Sequence, residues 1–173
     1  DLKNAQRSVR LEYYIIARGT FWNSVLAVLE QKAKAGVDVK VIYDDFGCSL
    51  TLPRDYHKQL ASRGIKTQIY RPLRFPSTAA GARDHRKLTI IDDRIAYTGG
   101  INLADEYIGE TVRFGHWKDT AVRVTGGLAL ECSALFCEHW NELGKGGKIT
   151  PDPSSLPQGN AFGAAFADGA YGA

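Results

Sequence analysis

The order of apolar and polar positions in the first part of the chain predicts two strands joined by a helix. Residues 8–16 (SVRLEYYII) and 37–44 (VDVKVIYD) are rich in β-branched and aromatic residues, which is typical of strands. Residues 20–35 have helical spacing, with Thr20 as the expected N-cap and Gly36 as the expected stop. The residues that share one face of this helix are Val25, Leu26, Leu29 and Ala33. A strand, a helix and a second strand in this order predict a βαβ unit with parallel strands.

The pattern continues with a second helix, a third strand and a hairpin. Pro53 is expected to open a helix that runs to about Arg63, and residues 65–70 form the next strand. Residues 86–91 and 95–98 flank the polar turn Asp92-Asp93-Arg94, which predicts a β-hairpin.

The last elements are a short helix over residues 102–108, a strand over 119–124 and a long helix over 128–143. One stripe of the long helix carries Leu128, Cys132, Leu135, Phe136, His139 and Leu143. Such a stripe is typical of a helix packed on a sheet. We therefore predict an α/β fold, a mixed sheet with helices on both faces.

A change in composition divides the chain after about residue 145. Residues 1–145 are expected to form one lobe, because they hold all the periodic segments. Residues 146–173 are rich in Gly, Pro and Ser and lack a clear period. We interpret them as a linker and the start of a second lobe that is missing from the chain.

Composition narrows the function classes only slightly. A net charge of +3 suits an anionic substrate, but the basic residues do not form the dense stripe of a nucleic-acid binder. The three cysteines, Cys48, Cys132 and Cys137, lack CxxC spacing, so we expect neither a disulfide framework nor a zinc site. No apolar run reaches the length of a membrane span, and the absence of Met leads us to interpret the chain as a piece of a longer protein.

The segment 84–107 carries the candidate chemistry. It contains His85-x-Lys87-x4-Asp92, followed by Gly99-Gly100-x-Asn102. His85 and Lys87 are two residues apart, so on a strand they project from one face, roughly 6 to 7 Å apart. Asp92 is an odd number of residues from both and lies at the turn. We therefore expect it to have a structural role, either capping the hairpin or pairing with a cation.

An imidazole beside an ammonium group suits phosphoryl chemistry. Histidine can attack phosphorus or carry a proton near neutral pH, and lysine offers its charge to phosphate oxygens. Asn102 can donate a further hydrogen bond to phosphate, and Gly99 and Gly100 allow the backbone to approach closely.

The segment resembles the HKD motif of the phospholipase D superfamily, and the match is closest to the N-terminal catalytic lobe of bacterial cardiolipin synthases. The similarity also includes LEYYI, AKAGVDVKVIYDDFG, YRPLRFP, TGGINLADEY and FGHWKDT, in the expected order. The resemblance implies one lobe of a bilobal fold and a covalent phosphohistidine intermediate. A second HKD histidine protonates the leaving alcohol. It also implies that neither a metal nor another cofactor is required, and the sequence offers no convincing cluster of metal ligands.

The resemblance assigns roles to individual residues. His85, Lys87 and Asn102 line the phosphate site, and Asp119 matches the acidic residue that hydrogen-bonds the catalytic imidazole. The family uses two HKD motifs and this chain has one, since His116-x-Lys118 is followed by Arg123 where the acid would be. We therefore expect the second motif to come from the same polypeptide or from a second copy.

The leading hypothesis is phosphatidyl transfer between phosphatidylglycerol-type lipids, at the cytoplasmic face of a bacterial membrane reached through segments outside this chain. A first alternative is a homodimeric phospholipase D or nuclease, and a second is a silent lobe kept for binding. Nucleic acid is not expected as a partner under the leading hypothesis. The sequence does not decide between transfer and hydrolysis, or between nucleophile and general acid for His85.

Several other polar and aromatic residues receive simpler interpretations. We interpret His57 and His139 as solvated or packing residues, His116 as a structural or rim residue, and Trp117 and Trp140 as core aromatics. Three loop arginines could form a funnel for anionic lipid headgroups or simply be solvated, and the sequence leaves both open: Arg71, Arg74 and Arg83.

Overall fold

A computed structural model describes residues 1–73, 82–111, 115, 117–154 and 163–165. Its strands are β1 (Ser8–Tyr13), β2 (Asp38–Asp44), β3 (Lys66–Tyr70), β4 (Lys87–Ile91), β5 (Ile95–Gly99) and β6 (Ala121–Thr125). Its α-helices are α1 (Thr20–Lys34), α2 (Asp45–Cys48), α3 (Tyr56–Ala61) and α4 (Gly127–Leu143). Two 3-10 turns complete the described elements, Leu2–Asn4 and Asp105–Ile108.

The strands form one mixed sheet in the order β3-β2-β1-β4-β5-β6. β1 pairs in parallel with β2, and β2 in parallel with β3, as the βαβ pattern predicts. β4 runs antiparallel to β1, and β5 and β6 continue the antiparallel half. The predicted α/β class and mixed sheet are therefore confirmed.

Helices cover both faces, and strand parity decides which residues meet them. On one face Val9, Leu11 and Tyr13 of β1 pack with α1 and α3. On the other face Leu88 and Ile90 of β4 pack with α4, which contributes residues such as Phe136 and Trp140. Both faces of β1 are buried, as expected for a central strand.

Three helix boundaries differ from the predicted ones, and at the start of α1 a residue of another element supplies the capping hydrogen bonds. α1 begins at Thr20, but Thr20 is not its N-cap. The carboxylate of Asp105, distant in sequence, accepts hydrogen bonds from the amides of Thr20 and Phe21 at 2.9 and 2.8 Å. The second predicted helix is shorter than expected, since α3 begins at Tyr56 and not at Pro53. The predicted helix over residues 102–108 is only a 3-10 turn, Asp105–Ile108.

The described part of the region after residue 145 folds back onto the lobe. The side chain of Asn141 on α4 exchanges hydrogen bonds of 2.8 Å with both backbone groups of Ile149. Asp152 pairs with Arg7 before β1 and accepts a hydrogen bond from the amide of Ser154. Residues 155–162 and 166–173, which belong to the predicted linker and second-lobe start, lie outside the described residues.

Candidate active site

The sequence-predicted motif lies at the edge of the sheet where β1 and β2 end and β4 begins. Tyr13, the last residue of β1, is paired with Lys87, the first residue of β4. The amide of Tyr14 then donates to the carbonyl of Arg86 at 3.0 Å, so β1 and the segment before β4 remain joined beyond the ladder. This places His85 at an exposed corner next to Tyr14.

His85 lies against an aromatic ring and carries a perturbed imidazole. Its ring centroid is 4.7 Å from that of Tyr14, at an interplanar angle of 57°. Loss of solvent lowers the pKa of His85, the charge of Lys87 lowers it further, and Asp44 opposes the shift. A lowered pKa enlarges the neutral fraction at neutral pH, and the neutral imidazole is the form that can act as nucleophile or base.

Lys87 is buried, with 6% of its surface exposed. Its Nζ donates to the backbone carbonyl of His85 at 2.6 Å and lies 5.4 Å from the centre of the Tyr14 ring. Desolvation lowers the pKa of Lys87 to about 8, against the opposing charges of Asp84 and Asp119. The ammonium group is thus held beside the His85 backbone at a cost in solvation.

Lys87 also lines an apolar cavity of about 890 Å³ between α1 and the sheet. The helix wall includes Phe21 and Val25 of α1, and Leu11 of β1 lines the sheet wall beside β4. Thr89 and Ile91 line the same cavity, whereas Leu88 and Ile90 pack on the α4 side. The alternation along β4 follows the parity used in the sequence argument, and the apolar walls explain the desolvation of Lys87.

Asn102 is buried and its side chain is engaged by protein groups. Its Oδ1 accepts from the amide of Ile15 at 3.0 Å, and its Nδ2 donates to the Tyr107 hydroxyl at 2.7 Å. These contacts tie the segment after β5 to the end of β1. One Nδ2 hydrogen remains to serve the expected phosphate contact, which stays a prediction.

Gly99 and Gly100 are needed where the backbone of residues 119–121 passes close by. A Cβ at Gly99 would lie 2.2 Å from the Thr120 carbonyl oxygen, and one at Gly100 would lie 2.1 Å from Asp119 Oδ1. The Gly100 amide donates to that same Thr120 carbonyl at 3.0 Å. The close approach observed here is therefore to protein backbone; an approach to phosphate remains a prediction.

Asp119 is exposed and accepts a hydrogen bond from the Thr120 amide at 2.7 Å. Within the described residues no hydrogen bond joins it to His85; its charge instead acts on Lys87. The carboxylate that acts on His85 is that of Asp44, which is fully buried and was not singled out from the sequence. The orienting role of Asp119 stays a prediction.

Asp92 lies at the far end of β4 from His85. Its carboxylate accepts hydrogen bonds from the backbone amides of Gln6, Arg7 and Ser8 at 2.9, 2.7 and 2.8 Å. The aspartate of the motif thus holds the start of β1 to the hairpin turn.

Directly behind the motif, on the α4 face, lies a cluster that sequence reasoning missed, made of the buried Glu12, Asp84 and His139 and the half-buried Arg86. His139 Nδ1 is 2.8 Å from Glu12 Oε1 and 3.9 Å from Asp84 Oδ2. Arg86 Nη1 is 3.0 Å from the same Glu12 oxygen. Of the two predicted alternatives for His139, solvated or packing, the structure has the packing one, since the residue is 7% exposed; its pairing with Glu12 was not predicted.

The cluster also brings together three possible metal ligands, Glu12, Asp84 and His139, whose ligand atoms lie within 4.8 Å of one another. Its members are far apart in the chain, so no local pattern of the sequence brings the three together. Desolvation and the charge of Glu12 raise the pKa of Asp84 to about 7. The pKa of His139 is also raised: burial acts against the shift, but the hydrogen bond to Glu12 and the two carboxylates outweigh it.

The remaining sequence interpretations have mixed outcomes. Trp140 is a core residue as predicted, whereas Trp117 is 39% exposed and packs edge-on against Tyr107 at 5.4 Å, so the core interpretation of Trp117 is wrong. Arg83 lies 3.6 Å from Asp44 and over the Phe46 ring, and Arg71 lies over Tyr70. Arg74 and His116 lie outside the described residues.

No helix in the described part of the chain is both long and apolar enough to cross a bilayer.

A cardiolipin synthase of Oceanobacillus iheyensis is 36% identical over 146 residues, which cover 84% of this chain and 30% of the relative. The chain therefore spans about a third of the length of this curated relative.

Two solved structures share the fold. Phosphatidylserine synthase of Haemophilus influenzae matches with a TM-score of 0.62 and 16% identity, over 91% of this chain and 36% of that one. Nuc of Salmonella typhimurium, a phospholipase D family member, matches with a TM-score of 0.52 and 22% identity, over 82% of this chain and 80% of that one. Residues 1–112 match the family described as cardiolipin synthase, PLD-like domain. That match covers well over half of the chain, which therefore belongs to the PLD-like domain family of cardiolipin synthase, within the phospholipase D superfamily.

Proposed function

We propose that this chain is one lobe of a phosphatidyltransferase that makes cardiolipin from phosphatidylglycerol through a phosphohistidine at His85. The observation that carries the proposal is the pairing of a solvent-accessible imidazole of lowered pKa with a buried ammonium group two residues away. The family membership and the cardiolipin synthase relative support the phosphatidyl group as the one transferred.

The proposed reaction has two balanced steps. In the first, an imidazole nitrogen of His85 forms a bond to phosphorus, the bond from phosphorus to the glycerol oxygen breaks, and a second histidine gives that oxygen a proton. In the second, a hydroxyl of another phosphatidylglycerol loses its proton to that second histidine, its oxygen forms a bond to phosphorus, and the bond from phosphorus to His85 breaks, which gives cardiolipin and restores His85. Lys87 supplies positive charge to the phosphate oxygens in both steps, and Asn102 and Asp119 are proposed to assist as phosphate binder and imidazole orienter. By symmetry, His85 could exchange roles with the second histidine.

The second histidine is proposed to come from a second lobe of the same polypeptide, because the chain spans about a third of its relative. We further propose that the complete enzyme works at the cytoplasmic face of a bacterial membrane, held there by segments outside this chain. Anionic phospholipid is then the substrate, and no metal or other cofactor takes part.

A second candidate is a hydrolase of the same chemistry that pairs two copies of this lobe. The observation that favours it is the match to Nuc, in which a chain of similar size is covered over 80% of its length. In that case water replaces the lipid hydroxyl, and a phospholipid or a nucleic acid is the substrate.

The experiment compares His85→Asn with His57→Asn as a matched control in the complete two-lobe enzyme, using vesicles of phosphatidylglycerol. We expect H85N to lose nearly all cardiolipin formation and H57N to keep the wild-type rate. Retention of more than a few per cent of turnover by H85N would contradict the proposal. Light scattering on the 173-residue chain separates the candidates: a single chain of 19.0 kDa supports the two-lobe transferase, and a stable dimer supports the hydrolase.

A further inference from the structure

We propose that Glu12 and His139 are positioning residues for His85: from the α4 face of the sheet they hold Asp84 and Arg86, the two residues on either side of it. This inference rests on the proposed role of His85. It concerns residues that do not touch the substrate but fix the segment that presents the imidazole.

The geometry connects three elements, β1, α4 and the end of β2, to the segment 84–86. Glu12 of β1 contacts both cations through one oxygen, Oε1, which lies 3.0 Å from Arg86 Nη1 and 2.8 Å from Nδ1 of His139 on α4. The Asp84 amide donates to the Asp44 carboxylate at the end of β2, at 3.1 Å. His85 thus lies between two residues that are each tied to buried partners, while its own ring faces Tyr14.

The charges explain why the cluster is sensitive to the loss of one member. Two carboxylates, Glu12 and Asp84, face the guanidinium of Arg86 and the imidazole of His139. Glu12 Oε2 and Asp84 Oδ2 are buried and accept no hydrogen bond from the described residues. These oxygens are compensated by the nearby cations and by the proton that Asp84 retains through its raised pKa, so removing one cation leaves the buried negative charge less compensated.

The same arrangement argues against a metal ion as the occupant. Arg86 already supplies positive charge to the Glu12 oxygen that a metal would use. His139 Nδ1 and Glu12 Oε1, at 2.8 Å, are at hydrogen-bond distance from each other. A proton shared between them satisfies both atoms, and the raised pKa of His139 agrees with this.

The test uses His139→Gln, with His57→Gln on α3 as its control, and Glu12→Gln, with the exposed Glu138→Gln on α4 as its control. The first readout is the pKa of the His85 imidazole in the 173-residue chain, followed by NMR and assigned through H85N. The second readout is kcat and KM, determined separately for each variant in the complete enzyme.

We expect H139Q and E12Q to let the segment around His85 loosen. The His85 pKa should then rise toward its ordinary value, because the ring becomes more exposed to solvent and moves away from the charge of Lys87. We expect kcat to fall on the order of tenfold to a hundredfold, as small misplacements of reacting groups do, with little change in KM. H57Q and E138Q should leave both readouts at the wild-type values.

Folded H139Q and E12Q with the wild-type His85 pKa and kcat would overturn the proposal. Failure of both variants to fold would also overturn it, since the cluster would then serve stability alone. The two hypotheses fail separately: active H85N refutes the proposed function, whereas the NMR comparison tests positioning without any turnover.

Discussion

Replacing Lys87 with methionine should stabilise the fold at neutral pH while removing activity. The perturbation removes the ammonium group of Lys87, a residue that is 6% exposed and lines an apolar cavity. A fall of its pKa from 10.5 to about 8 corresponds to roughly 3 kcal/mol of unfavourable free energy for the charged form in the folded state. Methionine cannot donate the hydrogen bond to the His85 carbonyl, and the loss of this bond destabilises the variant by about 1 kcal/mol. The net expectation is a gain of about 2 kcal/mol in the free energy of unfolding.

The pH dependence gives this prediction its sharpest test. Because the pKa of Lys87 is lower in the folded chain, the unfolded chain binds more protons between about pH 8 and 10.5. Wild-type stability should therefore rise with pH across that window relative to K87M, and the advantage of K87M should shrink. The assay is urea unfolding of both proteins at pH 7 and pH 10, with exposed Lys58→Met on α3 as control. A K87M variant less stable than wild type at pH 7, or a difference independent of pH, would refute the reasoning.

Two further predictions concern the carboxylates around the motif. The pKa of Asp84 is raised to about 7, so the stability that Asp84 contributes is present below about pH 4 and is lost as pH rises toward 7. In thermal unfolding, the stability of Asp84→Asn relative to wild type should therefore increase over that pH range. An advantage of D84N that does not grow with pH would contradict this. Asp92→Ala removes the acceptor of three backbone amides and should cost about 2 kcal/mol in urea unfolding while leaving the His85 pKa unchanged. A change in the His85 pKa would show instead that the two ends of β4 are coupled.

The strands and the motif were readable from the sequence because their signals are local. Runs such as 37–44 and the hairpin around Asp92 have the period and the turn residues of strands, and the structure has β2, β4 and β5 there. The parity of His85 and Lys87 follows from strand geometry alone.

The parts that were missed depend on partners distant in the chain. The N-terminal amides of α1 are satisfied by Asp105, which no local pattern around Thr20 indicates. His139 falls on the apolar stripe of α4 and therefore reads as a packing residue, although its partner is Glu12 of β1. One signal was present: β1 carries Arg10 and Glu12 between apolar residues, and a charged residue in a buried strand calls for a counter-charge.

The central claim is that His85 carries the phosphatidyl group during turnover. The most direct measurement is covalent labelling of the complete enzyme with ³²P-phosphatidylglycerol, quenched at alkaline pH, at which phosphohistidine survives, and followed by peptide mapping. The account predicts a label on the peptide that contains His85 in the wild-type enzyme and none on the corresponding peptide of H85N, whereas a label confined to the counterpart histidine of the second lobe would contradict the central claim. A label of wild-type amount in H85N would contradict the account.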